Sequence, residues 1–274
     1  MLRISMSIVV YKPDLEVLDR TLRSVHQAIK TAEQVLALDS VLYVVDNSCE
    51  RSWPNLIEGV LSESFPQDIG LRAEFIISSE NGGYGKGNNL ALTRVESAYH
   101  LVMNPDVYLD SDAIVTAISY MERDKSVGLL VPDVRGEDGA RHFLCKRNPS
   151  LLIMFLRGFA PRWLKHVFRK TLYQFEMRDK DYERDIDGVE YPTGCFMFFR
   201  SDVFQKLEGF DPDFFMYFED ADIGRRVLAI AKVRYVPAVR IIHRWARGTH
   251  NNWRLRWATI KSALIYWRKW GGVY

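Results

Sequence analysis

Cysteine is scarce in this chain. Cys49, Cys145 and Cys195 are the three in 274 residues, far apart and without a CxxC pair. That excludes a disulfide framework and a cysteine zinc site, and it fits free thiols in a reducing compartment. Long apolar runs are lacking too. The best, LLIMFLRGFA from Leu151, is broken by Arg157 and is too short to span a bilayer. The opening MLRISMSIVVYKP shows no signal-peptide pattern, because its apolar run stops at Lys12 and Pro13. A cytoplasmic protein is expected. Acidic residues are absent from Ala140 to Phe175 and from Ile223 to Tyr274, while Arg and Lys recur in both. An acidic run, Glu176 to Glu190, lies between. The net charge is only +2, which excludes a general polyanion binder, yet the segregation marks two basic surfaces. No internal repeat or low-complexity segment is present. With 47% hydrophobic and 26% charged residues, the chain is globular rather than disordered.

What is present is alternation. Short β-branched runs predict strands at Ile4–Tyr11, Val41–Val45, Ala73–Ser78, Tyr99–Met103 and Val127–Val131. Asp14 can cap a helix on which Leu15, Leu18, Leu22, Val25 and Ile29 share one face. Further helices are predicted over Glu50–Leu61, from Leu90, and over Asp112–Arg123. The order predicts an α/β fold, a mostly parallel sheet with helices on both faces. After Pro132 the alternation fails. Val134–Arg147 reads as loop or hairpin, and Leu151–Phe168 as helical around Pro161. Val189–Arg200 reads as a strand bent at Gly194, followed by a short helix capped by Ser201. A helix over Asp222–Ala231, a strand pair over Val233–Ile242 and an amphipathic helix over Trp253–Trp270 complete the expectation.

Ligands of parallel sheets sit beyond the carboxyl ends of the strands. Three such ends here carry polar groups: Asp46-Asn47, the glycine-rich Asn81–Asn89, and Asn104-Pro105-Asp106. Asp46 could accept from a nucleobase or a ribose, or simply close an Asx-turn with Asn47 and Ser48. Gly82–Gly87 permits close backbone approach, but Lys86 is followed by Gly87, so this is not a Walker loop. Asp106 could hold a divalent cation that carries a diphosphate, or be an ordinary turn residue. His243, after an apolar strand, suits manganese as a neutral imidazole or is a packed residue; His250 is a second candidate. The stretch GFDPDFFMYFEDADIGRR, Gly209 to Arg226, sets Glu219, Asp220 and Asp222 beside a block of aromatics. A carboxylate there can serve as a general base, or the cluster can cap a helix.

In order along the chain, SIVVY, VDNS, NGGYGKGNN, NPDV, YPTGCFMFFR and GFDPDFFMYFEDADIGRR resemble the motifs of family-2 glycosyltransferases of the GT-A fold. The likeness runs from Ile4 to about His243 and is greatest to bacterial rhamnosyltransferases that build O-antigen and related surface glycans. It implies a Rossmann-like GT-A domain over 1–243, with a nucleotide-sugar half to 132 and an acceptor half from 133, plus a helical extension over 244–274. It implies Tyr11, Asp46, Asn47, Gly83, Lys86, Asn88, Asn104 and Asp106 around the donor, and Gly194, Cys195 and Glu219 around the acceptor. Asp220 matches the family's base, with Glu219 on acceptor or sugar hydroxyls and Asp222 structural. Asp106 and His243 would hold Mn2+ or Mg2+, although Asn104-Pro105-Asp106 has one acid where the family's DXD motif has two. The implied reaction is transfer of a sugar, L-rhamnose from dTDP-β-L-rhamnose, with inversion, to a glycan acceptor linked to a polyprenyl diphosphate.

Other readings stand beside this one. A UDP-sugar donor such as UDP-GlcNAc is the alternative substrate. A nucleotidyltransferase would need a basic glycine-rich loop after the first strand, which SIVVYKPD lacks. A non-catalytic glycan-binding domain would not need Glu219 and Asp220. No nucleic-acid recognition module is present. On the last helix, Trp253, Trp257, Ile260, Leu264 and Trp267 form a stripe. The plainer reading packs that stripe on the catalytic domain; the other sets the helix, with its Arg and Lys residues, on an anionic membrane at the inner face of the inner membrane.

Overall fold

The computed structural model describes every residue except 67, 159, 245–252 and 272–274, with the backbone alone at 254–256. Trp245 and His250 therefore lie outside the described residues. The first part of the chain runs β1 (Leu2–Val10), α1 (Leu15–Glu33), β2 (Leu38–Asp46), α2 (Trp53–Ser64), β3 (Leu71–Ile77), α3 (Gly83–Leu92), β4 (Tyr99–Met103), β5 (Val107–Leu109), α4 (Ala113–Arg123) and β6 (Val127–Arg135). The rest runs β7 (Arg141–His142), α5 (Leu151–Gly158), α6 (Arg162–Val167), α7 (Arg169–Phe175), β8 (Ile186–Asp187), β9 (Phe196–Arg200), α8 (Ser201–Lys206), α9 (Glu219–Leu228), β10 (Lys232–His243) and α10 (Trp253–Trp270).

One sheet carries both halves, in the order β3-β2-β1-β4-β9-β6-β10-β5. The pairs among β3, β2, β1 and β4 are parallel, as the alternation implies. Strand β9 then enters antiparallel between β4 and β6, so the second half is mixed. The period-two pattern of β1 serves two faces. Ile4, Met6, Ile8 and Val10 join Leu18, Leu22 and Val25 of α1 and Ile114 of α4 in one core. On the other face, Phe199, Phe204 and Phe210 pack with Ile223 and Val227 of α9. That second core also holds a polar pin. Ser5 and Ser7 of β1 bond the two ring nitrogens of buried His100 at 2.7 and 3.1 Å. Burial pulls His100 down to about 3, so the imidazole is neutral and stacks on Phe204.

Several elements differ from the sequence reading. Helix α3 begins at Gly83 rather than Leu90, and α9 begins at Glu219 rather than Asp222. Strand β6 continues through Pro132 to Arg135, and β10 is one strand, not two. Both follow from a bulge: the register jumps from Val236↔Pro132 to Arg240↔Asp133, leaving Pro237 and its neighbours out of the ladder. Of Val189–Arg200 only Phe196–Arg200 is strand. Ser201 does not cap α8, because its hydroxyl bonds Ser97 at 3.2 Å instead. The break at Pro161 is as expected, since α5 ends before it and α6 starts after it.

Phe199 is fully buried and stacks on Phe204 at 4.3 Å between ring centroids. Phe199→Ala is expected to cost about 3–5 kcal/mol, the range for a large core truncation. Urea unfolding of the two proteins checks it.

Candidate active site

The site starts from an awkward turn. Tyr217 and Phe218 both adopt left-handed backbone, each with φ 68°. For aromatic residues this costs on the order of 1–3 kcal/mol each and persists only where surrounding contacts enforce it. The turn delivers Glu219 and Asp220 into the first turn of α9, where the helix dipole favours negative charge. Neither acts as the N-cap, which is Phe218. Glu219 is 6% exposed and Asp220 9%. Asp220 Oδ2 accepts from the Gly194 N–H at 3.1 Å, and Oδ1 accepts from the Ala221 N–H at 3.0 Å. The Gly194 carbonyl accepts from the Tyr84 hydroxyl at 2.5 Å. One residue, Gly194, thus joins α3, the approach to β9, and α9 through the peptides on its two sides.

Burial pushes Asp220 above its ordinary value, opposed by Lys146 and by the Gly194 and Ala221 N–H groups. Burial and the Asp220 charge push Glu219 well above its own, with only one backbone bond opposing. The two carboxyls are therefore unequal: Glu219 keeps a proton more readily, and Asp220 is the better candidate for the anion. Glu219 Oε2 is buried without a hydrogen-bond partner. Lys146 lies half-buried with Nζ 4.6 Å from the centre of the Tyr191 ring. It enters no ion pair among the described residues. Burial and Arg157 lower its pKa, while Asp220 raises it. Lys146 had no motif to announce it. Tyr191 lay inside YPTG but carried no distinguishing signal.

The strand ends supply a second cluster. Asp106 Oδ1 meets His243 Nε2 at 3.3 Å, brought together by the β5–β10 pairing. Burial pulls His243 down, but Asp106 and Cys195 outweigh it and raise it to about 10. Cys195 is buried, and its carbonyl accepts from the Asn104 N–H at 3.0 Å, so the NPD turn and the Gly194–Cys195 turn are adjacent. Among the described residues no three acid, histidine or cysteine groups form a metal cluster. Asp46 is buried and accepts from the Ser48 N–H at 2.7 Å, which is the Asx-turn. Asn47 donates to the Gly83 carbonyl at 2.9 Å, tying β2 to α3. Tyr11 stands 55% exposed at the end of β1.

Three expected donor contacts change character. Asn88 is fully buried; its amide carbonyl accepts from Ser7 at 2.7 Å and its nitrogen donates to the Tyr84 carbonyl at 3.0 Å. It is a core residue that fixes α3, with no group turned to a nucleotide. Lys86 is on the surface, paired with Glu80. Gly83, with φ 83°, lies so near the Phe215 carbonyl that a Cβ there would sit 1.8 Å from its oxygen. The glycine serves that protein contact, and the Tyr84 N–H bonds the same oxygen at 3.1 Å.

Asp222 is fully buried and structural. Its carboxylate accepts from Arg226 Nε at 2.7 Å, from Trp270 Nε1 at 2.8 Å, and pairs with Lys269 at 2.9 Å. Helix α10 thereby docks on α9. Ser262 bonds the Met216 carbonyl at 2.8 Å, and Tyr266 packs with Phe214 and Ala221. The docked face is thus Ser262, Tyr266 and Trp270. This corrects the packed stripe, since Trp253, Trp257 and Leu264 are all about two-thirds exposed.

No protein-family profile matches the chain. In sequence it is similar to Rhamnosyltransferase WbbL of Escherichia coli K12, 29% identical over 170 residues, covering 59% of this chain and 60% of that protein. It is also similar to N-acetylglucosaminyl-diphospho-decaprenol L-rhamnosyltransferase of Mycobacterium tuberculosis, 28% identical over 150 residues, covering 54% of this chain and 48% of the relative. The chain spans less than two thirds of either relative's length. In fold it is similar to mannosyltransferase PcManGT of Pyrobaculum calidifontis, solved with GDP-Man and Mn2+, at TM-score 0.62 and 14% identity over 97% of this chain and 64% of that one. TarS 1-349 of S. aureus, solved with UDP-GlcNAc, gives 0.59 and 14% over 91% and 60%. The fold is GT-A, and the likeness to family-2 glycosyltransferases of the rhamnosyltransferase kind stands.

Removing the fully buried Asp222 carboxylate would leave part-buried Arg226 without its counter-ion and the Trp270 N–H without its acceptor. Asp222→Ala is expected to cost about 3–5 kcal/mol, as for breaking a buried ion pair, against about 1.5–3 kcal/mol for Trp270→Phe, which loses one bond to a charged group. Denaturant titration of both variants measures the difference.

Proposed function

We propose that the chain is an inverting glycosyltransferase that moves L-rhamnose from dTDP-β-L-rhamnose to a hydroxyl of a lipid-diphosphate-linked glycan in bacterial surface polysaccharide synthesis. The observation that carries the reading is the unequal buried pair at the start of α9: Asp220 held by two N–H groups, and Glu219 with an oxygen that nothing in the protein occupies. The names of the two sequence relatives support rhamnose, and that of the second supports a diphospho-decaprenol acceptor. UDP-GlcNAc is the alternative donor.

In this reading Asp220 takes the proton from the acceptor hydroxyl as its oxygen attacks the anomeric carbon. The bond from that carbon to the diphosphate breaks, and its electron pair leaves with the nucleoside diphosphate. Attack and departure on opposite faces invert the anomeric centre. Glu219, kept protonated by burial beside Asp220, donates a hydrogen bond to a sugar or acceptor oxygen. Lys146 lowers the cost of the Asp220 anion.

Asp106 and His243 fit a divalent cation as a two-ligand site that substrate phosphate oxygens complete, which is how magnesium and manganese are commonly bound. A bound Mn2+ or Mg2+ would neutralise charge on the departing diphosphate. His243 must give up its proton to ligate, so binding competes with the His243–Asp106 bond and strengthens as pH rises.

Asp220→Asn is expected to lower kcat by about 10²–10⁴-fold with donor affinity retained. Because Asp220 acts ionised and burial raises its pKa, the acidic limb of the wild-type kcat/KM profile is expected above the ordinary aspartate range. Near-normal turnover by the variant, or a profile without that limb, would remove Asp220 from the role. A thermal-shift comparison of dTDP-rhamnose and UDP-GlcNAc, each with manganese and with EDTA, is expected to show stabilisation by the first donor that EDTA weakens. Selective response to UDP-GlcNAc would reassign the sugar, and indifference to EDTA would discharge Asp106 and His243 as ligands.

A further inference from the structure

The large apolar side chains left in water are not evenly spread. Most of them lie in two segments, among them Leu151, Phe155, Trp163 and Val167 on α5–α6 and Trp257 and Leu264 on α10. Trp163, Val167, Trp257 and Leu264 are 64–67% exposed. Both segments belong to the stretches without acids, Ala140–Phe175 and Ile223–Tyr274. Arg157 and Lys269 there are paired, with Glu176 and Asp211. Arg162, Arg169, Lys170, Lys261 and Arg268 are exposed and enter no ion pair among the described residues. The segments are also joined: the Tyr266 hydroxyl of α10 donates to Asn148 Oδ1, just ahead of α5, at 3.0 Å. That junction adjoins the site, because Tyr266 packs on Ala221, the neighbour of Asp220.

We propose that α5–α7 and α10 together form a docking surface for an anionic phospholipid bilayer. Exposed Trp, Phe and Leu side chains enter the boundary between headgroups and acyl chains, while Arg and Lys meet lipid phosphates. No helix among the described residues is long and apolar enough to cross a membrane, so the contact is one of lying on the surface. A second copy of the chain is a poorer occupant, since a two-fold interface would set these unpaired cations against one another. Single-stranded nucleic acid is poorer too, because the rings of Trp163 and Trp257 are accompanied by aliphatic Leu151, Val167 and Leu264, which suit acyl chains and give a base nothing to stack on. The proposal goes beyond the glycosyltransferase reading and does not depend on its donor. It would, however, set the Asp220 side of the molecule next to a lipid-borne acceptor.

Flotation of the full chain tests it, with vesicles of phosphatidylcholine alone and of phosphatidylcholine mixed with phosphatidylglycerol. The mixed vesicles are expected to carry at least about tenfold more protein at low salt, and high salt is expected to release it. Arg169→Gln and Lys170→Gln are each expected to lower partitioning roughly fivefold. Trp163→Glu with Trp257→Glu is expected to abolish it, with far-UV circular dichroism showing that the variant stays folded. No flotation on either vesicle, or equal flotation on both, overturns the proposal. So does a stable dimer in light scattering that Trp257→Glu dissociates.

Discussion

A single residue, Gly194, links α3, β9 and the acidic start of α9. Its N–H holds Asp220 of α9, and its carbonyl receives the hydroxyl of Tyr84 from α3. Gly194 stands just ahead of β9, the strand that runs antiparallel between β4 and β6 and so stitches the two halves of the sheet. The position of the acidic pair is thereby referred to the rigid sheet rather than to a loop. In a water-poor site such a bond is worth more than at the surface, and losing it would leave a buried charge less compensated.

Three acids at the start of one helix would repel one another in a uniform environment. Here each has a different solution. Asp222 is neutralised outright by Arg226, Lys269 and the Trp270 N–H. Asp220 has backbone donors and a distant cation. Glu219 has almost nothing, and a proton is its cheapest answer. The difference comes from environment, with one residue type serving as an ion-paired anchor at Asp222 and as a carboxylate held by backbone N–H groups at Asp220, two positions apart. Helix α10 belongs to this arrangement, because its last turn supplies two of the three partners of Asp222.

The strand ends form a second centre. Asp106 and His243 are far apart in sequence, yet antiparallel pairing of β5 with β10 places them 3.3 Å apart. The backbone is left-handed at Lys12 and Cys49, just past the carboxyl ends of β1 and β2.

Local pattern was enough for much of this. Strand–helix alternation, the cap at Asp14, the break at Pro161 and the limits of the last helix are all properties of neighbouring residues, and the sequence alone determined them. The order of six short motifs likewise determined the family likeness. What local pattern could not determine was anything settled by contact at a distance. Glycines at 83, 85 and 87 argue against a helix by propensity, yet α3 starts there because Phe215, Phe210 and Val9 crowd it and leave no room for a Cβ. Asn88 looks like a ligand until β1 brings Ser7 to its amide. Lys146 and Tyr191 look like nothing until an isolated bridge sets them beside α9. The tryptophan stripe of α10 has the right period for burial, but Asp222 and Phe214 capture the opposite face, where Tyr266 and Trp270 answer a buried charge and a waiting ring. Period tells which residues share a face; only the tertiary structure decides which face is covered, because burial depends on what the rest of the chain brings to meet it.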